Sequence, residues 1–171
     1  MFKLLNLKTK ELNKNLLNEI LNLKDTHWRN GILSQKKFFE KNVHKNDDHI
    51  LLFCKNRLTG YVLLRSKKCF KKRVKINYFH FDTLIVKKSY RKKAISSFLM
   101  SFVANFIKHK KSISILYCDK GLVKFYLKHG WKIDVSSTFN LNLKKSYKKK
   151  HFFFSNTYFQ KISTFLRLEL Q

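Results

Sequence analysis

Proline is absent from this sequence, and glycine, cysteine and acidic residues are scarce. Because no Pro-rich or Gly/Ser-rich linker divides the 171 residues, a single domain is expected. No apolar run approaches the roughly 20 residues that a membrane-spanning helix needs. The apolar stretch at the N-terminus is too short and too interrupted for a secretory signal. Together these absences predict a soluble, cytoplasmic protein of one domain.

The three cysteines, Cys54, Cys69 and Cys118, are widely spaced and form no Cys-x-x-Cys pair. This pattern argues against a zinc site or a disulfide framework and favours a reducing compartment. The histidines outside the central strand show no metal-ligand spacing, so no metal is expected. Cys118, at the end of a predicted strand, is interpreted as a small buried residue rather than as a nucleophile.

Basic residues are in large excess, with 38 Lys and Arg against 10 Asp and Glu and a net charge of +28. Such a charge favours polyanionic partners, nucleic acid above all. However, 32 of the basic residues are lysine. An AT-rich genome would produce the abundance of Lys, Asn, Phe and Ile by codon bias alone. Nucleic acid is therefore an alternative partner and not the favoured one.

The most informative stretch is a predicted strand, a basic turn and a helix over residues 74–107. Val74–Val86 is rich in β-branched and aromatic residues, which is typical of a long strand. From Ala94 the apolar residues recur at the spacing of an amphipathic helix. The turn over residues 89–96 opens straight into that helix, whose first N–H groups have no intrahelical partners. This turn is therefore predicted to bind an anion, the alternative being a solvated connection in a lysine-rich chain.

The flanking segments predict a mixed fold. Before the central strand we expect a first strand, two helices capped by Thr9 and Ser34, a hairpin over residues 49–65 and a basic loop over residues 66–73. Gly60, inside the second strand of that hairpin, predicts a bulge or a close backbone approach. After it we expect a parallel strand over residues 112–118, a helix from Asp119 to Gly130 and a further strand from Trp131, whereas residues 141–171 give a weak signal. The predicted class is α/β (α+β), with a mostly antiparallel sheet of about six to seven strands flanked by about four helices.

This element order resembles that of the GNAT superfamily of acetyltransferases over residues 49–135. The family carries Gln/Arg-x-x-Gly-x-Gly/Ala in the turn, five residues after a valine that ends the strand. Here Val86 is followed at that distance by Arg91-Lys92-Lys93-Ala94-Ile95-Ser96. A second family motif, Asn-x-x-Ala-x-x-Phe-Tyr-x-x-x-Gly-Phe, corresponds to the segment from Asp119 to Trp131.

The resemblance implies an acyl-CoA cofactor held by two groups of residues. The strand end Leu84, Ile85 and Val86 would hydrogen-bond the pantetheine arm through its backbone, and the Val86 N–H would polarise the thioester carbonyl. The pyrophosphate would be bound by the second group, which comprises Arg91, Lys92, Lys93, Ala94, Ile95 and Ser96. Asp119, where the family has asparagine, would lie near the cofactor.

Three residues are candidates for the chemistry that the resemblance implies. His80 and Asp82 alternate onto one strand face, about 6.6 Å apart along the strand. His80 would be the general base, because its solution pKa near 6.5 suits proton transfer from an amine. Asp82 would orient His80 or bind the cationic substrate. Tyr126 would return a proton to the CoA thiolate. The alternatives are a His and an Asp at a solvated sheet edge, and a core tyrosine on an amphipathic helix.

The function implied is that of an acyl-CoA-dependent N-acyltransferase. In its simplest form, the protein would transfer acetyl from acetyl-CoA to an amine of a small molecule, such as an amino sugar, as a monomer or homodimer. Ala94 replaces the glycine of the family turn, which is compatible if position 94 has helical dihedrals. The alternative function is a basic nucleic-acid-binding or CoA-binding protein without catalysis, on a degenerate acetyltransferase fold.

Overall fold

The structure is a computed structural model that describes residues 1–71, 74–92, 94–133, 139–140 and 152–157. These residues contain four α-helices and eight strands. The helices are α1 (Lys14–Trp28), α2 (Ile32–Asn42), α3 (Ile95–His109) and α4 (Val123–Lys128). The strands are β1 (Phe2–Lys8), β2 (Asp48–Cys54), β3 (Arg57–Lys71), β4 (Val74–Val86), β5 (Ile113–Cys118), β6 (Lys132–Ile133), β7 (Phe139–Asn140) and β8 (Phe152–Thr157).

The chain forms two compact units. The first unit comprises Met1–Arg65 and Asp82–Leu99, and the second comprises Ser66–Phe81 and Met100–Gln171. The boundary between the units falls inside three elements, β3, β4 and α3, so the two ends of each belong to different units. Whether the units act as the single domain predicted from the sequence stays a prediction.

In the first unit β1 pairs antiparallel with β2, and β2 with β3; β4 is the next strand in the sheet order. Lys55 and Asn56 both have positive φ angles and form the two-residue turn of the predicted β2–β3 hairpin. The register of this hairpin shifts between Leu52 and Phe53, next to Gly60. A Cβ at Gly60 would lie 2.8 Å from Leu99 Cδ1, so the predicted bulge and close approach at this glycine are both confirmed.

The core of the first unit lies between α1 and the sheet. It includes Ile20 and Leu23 of α1, Leu51 and Phe53 of β2, and Leu58, Tyr61, Leu63 and Ile85 of β3 and β4. These residues form one contiguous cluster because the apolar positions of α1 recur every three to four residues and face the inward side of the strands. The same packing fixes the end of β4, which carries several predicted site residues.

The second unit contains the predicted parallel pair. Tyr78–Phe81 of β4 pair with Ile113–Leu116 of β5, and α3 connects the two strands, as expected for a parallel crossover. β8 pairs antiparallel with the whole of β5, and β6 pairs with β8. Gly130 follows the C-cap of α4 with a φ of 78°, which confirms it as the glycine that ends the helix.

The predicted fold class is therefore confirmed: the sheet is mixed and mostly antiparallel, and four α-helices accompany it. The structure has eight strands rather than six or seven, because two-residue strands such as β7 carry no periodicity that a sequence pattern could reveal. Much of the predicted tail, including the lysine-rich segment over residues 143–150, lies outside the described residues.

Three local predictions were wrong. Asn13 caps α1, because its Oδ1 accepts from the Leu16 N–H at 2.9 Å, whereas Thr9 begins a 3-10 turn. Gly31 precedes α2, so Ser34 lies inside that helix instead of capping it. The basic segment after residue 65 is strand up to Lys71, because it continues the hairpin partner of β4. The adjacent Lys67 and Lys68 interrupt the alternation of polar and apolar residues, so the strand has no readable periodicity there.

Candidate functional site

The alternation of β4 separates the predicted base from the predicted acid in the second unit. The Phe79 ring lies 5.7 Å from Phe106 of α3, and the Phe81 ring lies 6.1 Å from Tyr126 of α4. Since neighbouring strand residues point to opposite faces, His80 lies on the face away from these helices. The structure therefore places His80 and Tyr126 on opposite faces of β4.

His80 is half-buried beside another ring. Its centroid lies 5.2 Å from that of Tyr117 on β5, with the planes inclined by 45°. Burial raises the pKa of Tyr117, so this phenol stays neutral near pH 7. The sequence alternative of a fully solvated edge histidine does not describe this half-buried position.

Asp82, in the first unit, is paired. Its Oδ1 lies 3.4 Å from Arg65 Nη1, and the two side chains are only 13% and 12% exposed. The Thr83 hydroxyl donates to Asp82 Oδ2 at 3.3 Å. The alternative of an aspartate at a solvated sheet edge is therefore wrong, because the carboxylate lies in a largely buried ion pair.

Tyr126 is buried among aromatic rings. It contacts Phe81, Phe125 and Trp131 at angles between 71° and 83°, the edge-to-face geometry that aromatic rings favour. Burial raises the pKa of Tyr126, and the nearby Cys118 thiol raises it further. The packing is that of a core tyrosine, and the protonated phenol is also the state that a general acid requires.

At the end of β4, the backbone polar groups of successive residues point alternately toward β3 and away from it. The Lys87 N–H donates to the Thr59 carbonyl of β3 at 2.8 Å. By strand alternation, the N–H and C=O of Val86 point away from β3. The Val86 carbonyl accepts from Arg91 Nε at 3.1 Å. The pairing of β4 with β5 ends at Phe81, before this segment begins.

The turn after β4 has an irregular backbone. A 3-10 turn over Lys88–Tyr90 precedes Lys92 and Ala94, whose φ angles are 62° and 55°. The condition under which alanine would fit this position without strain, right-handed helical dihedrals, is not met, since Ala94 adopts the left-handed conformation that glycine favours. The Ala94 carbonyl accepts the Phe98 N–H at 2.9 Å, so the alanine directly precedes the first turn of α3. The turn keeps a glycine-like backbone at a residue with a Cβ.

The electrostatics of this turn suit an anion. No acidic residue occurs in the first turn of α3, and Lys92 is exposed. Arg91, also exposed, places Nη2 3.2 Å from His27 Nδ1 of α1. Burial lowers the pKa of His27, and the Arg91 charge lowers it further. Of the other predicted turn residues, Ile95 is buried and Ser96 half-buried, whereas Lys93 lies outside the described residues.

Asp119 directly precedes a 3-10 turn ahead of α4, and its place near the cofactor stays a prediction. Its carbonyl accepts the Leu122 N–H at 2.9 Å in a 3-10 turn, and within the described residues its side chain makes no capping hydrogen bond. α4 begins only at Val123, so Asp119 is not its N-cap. Burial raises the pKa of the neighbouring Cys118 to about 11, with a further contribution from the Asp119 charge. Cys118 is therefore a neutral thiol near pH 7, as its interpretation as a buried apolar residue requires.

The predicted residues thus divide between the two units. The first unit holds Asp82, Leu84, Ile85, Val86, Arg91, Lys92, Ala94, Ile95 and Ser96, and the second holds His80, Asp119 and Tyr126. Two charged neighbours of Asp82, Lys24 and Arg65, were missed. Lys24 lies three and four residues after Leu21 and Ile20 on the buried side of α1, so a lysine within an apolar stripe was the available signal.

Neither a metal site nor a membrane span emerges. The described part of the chain contains no cluster of His, Cys, Asp and Glu side chains that could hold a metal ion. Within that same part, every helix is too short or too polar to cross a bilayer.

Comparison with known proteins adds a family and a fold. A family model described as "Acetyltransferase (GNAT) domain" matches residues 9–144. Escherichia coli ElaA is 16% identical, over 91% of this chain and 99% of that protein, with a TM-score of 0.66. An aminoglycoside 6'-N-acetyltransferase in complex with coenzyme A is 15% identical, over 92% and 98%, with a TM-score of 0.66. The Bacillus subtilis N-acetyltransferase YlbP, also in complex with coenzyme A, is 16% identical, over 92% and 97%, with a TM-score of 0.58.

At these identities the likenesses to solved structures show the fold alone. A comparison with curated proteins gives no significant match.

Proposed function

Because this chain belongs to the GNAT acetyltransferase domain family, we propose that it is an acyl-CoA-dependent N-acyltransferase. In its simplest form it transfers acetyl from acetyl-CoA to the amine of a small molecule. The observation that carries the proposal is the turn between β4 and α3, whose left-handed Ala94 leads directly into a helix N-terminus.

The turn fits the anionic part of a CoA molecule. First-turn N–H groups of α3 and the exposed charges of Arg91 and Lys92 favour a pyrophosphate, and no carboxylate in that first turn opposes it. Lys93, Ile95 and Ser96 belong to the same motif, and Asp119 is proposed to lie near the cofactor. When bound, acyl-CoA supplies its acyl group as an activated thioester.

The end of β4 is proposed to orient the cofactor arm. The Val86 N–H points away from β3, which supports its role as a donor to the thioester carbonyl. Leu84 and Ile85 contribute backbone groups in the same segment. Arg91 already donates to the Val86 carbonyl, so this arginine both stabilises the strand end and carries charge at the turn.

The two proton transfers are assigned to residues on opposite faces of β4, so each acts on its own group, the amine or the leaving thiolate. His80 accepts the proton of the attacking amine, because its imidazole has a solution pKa near 6.5. Tyr126 holds a proton for the leaving thiolate, which its raised pKa supports. Asp82 is assigned to the acceptor side, where its carboxylate attracts a cationic amine.

A small acceptor and a cytoplasmic location complete the proposal. A small molecule is preferred to a protein as the acceptor, because one short domain has little room for a peptide groove. The three cysteines are all free thiols, which supports a reducing compartment. The protein acts as a monomer or homodimer.

The proposal is tested by mass spectrometry of N-acyl products and by thiol release with a panel of amines. His80→Gln and Tyr126→Phe should each lower kcat by about 10²-fold while the affinity for acetyl-CoA is retained. His109→Gln, at an exposed position at the end of α3, is the matched control and should keep the wild-type rate. Wild-type rates in both site variants would refute the assigned roles.

A further inference from the structure

Three charged side chains meet in the interior of the first unit. Lys24 of α1 is 3% exposed, which is unusual for a lysine. Arg65 of β3 and Asp82 of β4 form the largely buried ion pair already described. Burial lowers the pKa of Lys24, whereas the charge of Asp82 raises it and that of Arg65 lowers it further. The cluster therefore places two cations around one carboxylate.

Lys24 has aromatic neighbours instead of a second carboxylate. Its Nζ lies 4.6 Å from the centre of the Phe38 ring and 5.7 Å from that of Trp28. In the chain as far as it is described, no hydrogen bond or ion pair reaches this ammonium. Cation–π contacts compensate only part of the hydration that a buried ammonium loses.

Arg65 also has an unused donor. Its Nε is buried and makes no hydrogen bond to any described residue. Buried donors in native proteins are nearly always paired, so an orphaned guanidinium N–H indicates a water or ligand oxygen at that position. A planar guanidinium favours a carboxylate or phosphate oxygen in that role.

The two aromatic rings beside Lys24 are partly exposed. Trp28 and Phe38 are 39% and 38% exposed, at the end of α1 and in the middle of α2. A small molecule that enters there would meet the Lys24 ammonium between two apolar surfaces. The Arg65–Asp82 pair is itself a cation and an anion 3.4 Å apart.

We propose that the acceptor is an amino acid or a closely related amine that bears a carboxylate. Its carboxylate is bound by Lys24 and Arg65 Nε, and its amino group is directed toward Asp82. This inference rests on the proposed function and specifies its substrate class. The excess positive charge, the orphaned donor and the adjacent carboxylate together match a zwitterion, whereas a neutral amine would leave Lys24 and Arg65 Nε unpaired.

The test compares amino acids with their own carboxamides, which keep the amine and the side chain but lack the negative charge. With acetyl-CoA, the wild type should acetylate the preferred amino acid with a kcat/KM at least about tenfold above that of its amide. In Lys24→Met, which keeps the length and packing of the side chain, that ratio should fall toward one. Lys14→Met, at an exposed position on the same helix, should keep the wild-type ratio.

A binding measurement separates the outcomes. N-acetyl amino acids and N-acetyl amino acid amides are titrated calorimetrically into the wild type and Lys24→Met, which requires no turnover. A preference for the acidic product that is lost in Lys24→Met supports the inference, even if turnover is absent. Equal affinity of the wild type for the acids and the amides overturns the inference. The partner of Arg65 Nε would then be water. A lack of acetyl-CoA binding counts against the proposed function instead.

Discussion

The two units bury different kinds of side chain. Among the residues described as buried and polar or charged, seven belong to the first unit: Lys24, Gln35, Asp47, Asp48, His49, Thr59 and Thr83. Ser114 is the one that belongs to the second. Burial of a polar group costs free energy unless a partner compensates it. A unit that buries many such groups therefore depends on specific pairing more than on apolar area.

In the described part of the second unit, the buried side chains are mainly rings and aliphatic groups. Phe81, Tyr126 and Trp131 contact one another edge to face. Edge-to-face contacts between aromatic rings are directional, so such a cluster holds the elements that carry it in a fixed arrangement. The two units therefore differ in what maintains them: specific polar pairing in the first, and ring packing in the described part of the second.

The largest effect is expected in the aromatic cluster of the second unit. Phe81 is 3% exposed, so Phe81→Ala removes a ring from contact with Tyr126 and Trp131. We expect a loss of about 3–5 kcal/mol in the free energy of unfolding, measured by denaturant titration. Leu33→Ala, at a position that is 76% exposed, should change it by less than about 0.5 kcal/mol. Similar effects of the two variants would contradict a packed cluster at Phe81.

The ion pair in the first unit should give the next largest effect. Asp82→Asn keeps the shape of the side chain but leaves the buried Arg65 charge uncompensated. The free energy of unfolding should fall by about 3 kcal/mol. The double variant Arg65→Met, Asp82→Leu removes both charges and should recover most of that loss. No recovery in the double variant would mean that Asp82 stabilises the fold through other contacts.

More of the fold than of the candidate site could be predicted from the sequence. The periodicities of β4 and α3 and the Gly60 bulge were readable, because each is a local pattern that the packing preserves. The pairing of Arg65 with Asp82 joins residues that are distant in the chain, so no local pattern reveals it. The left-handed backbone at Ala94 was also unreadable, since a residue with a Cβ gives no signal for positive φ.

The pH dependence of the free energy of unfolding should reveal the buried histidine of the first unit, His49. His49 is fully buried, with Nδ1 2.9 Å from the Tyr61 hydroxyl and Nε2 2.9 Å from the Thr9 hydroxyl. Burial lowers the pKa of His49 to about 4, with smaller contributions from the charges of Lys24 and Lys8.

Below pH 6.5 the unfolded chain therefore binds a proton that folded His49 does not. The contribution of neutral His49 to the free energy of unfolding is complete above pH 6.5 and is lost as the pH falls toward 4. The loss should be about 2–3 kcal/mol in the free energy of unfolding, from equilibrium denaturation at several pH values. His49→Gln should remove this part of the pH dependence, and an unchanged profile would contradict a neutral buried His49.

The smallest effect concerns the turn before α3. Ala94→Gly relieves the left-handed strain at φ 55° and should raise the free energy of unfolding by up to about 1 kcal/mol. Ala104→Gly, inside α3, should have the opposite sign, with a loss of about 0.5–1 kcal/mol. Thermal unfolding compares the stabilities of the two variants. A loss of stability in both would show that position 94 is not strained.

The most direct test of the account is a calorimetric titration of acetyl-CoA into the wild type at about 0.15 M salt. Dephospho-CoA and a generic polyanion serve as controls. The account predicts saturable one-to-one binding that the polyanion does not reproduce. Arg91→Glu should weaken this binding by more than about tenfold. Lys37→Glu, the same charge change at an exposed position on α2, should leave it unchanged. No saturable binding, or equal binding of any polyanion, would contradict a CoA site at this turn and favour the nucleic-acid alternative.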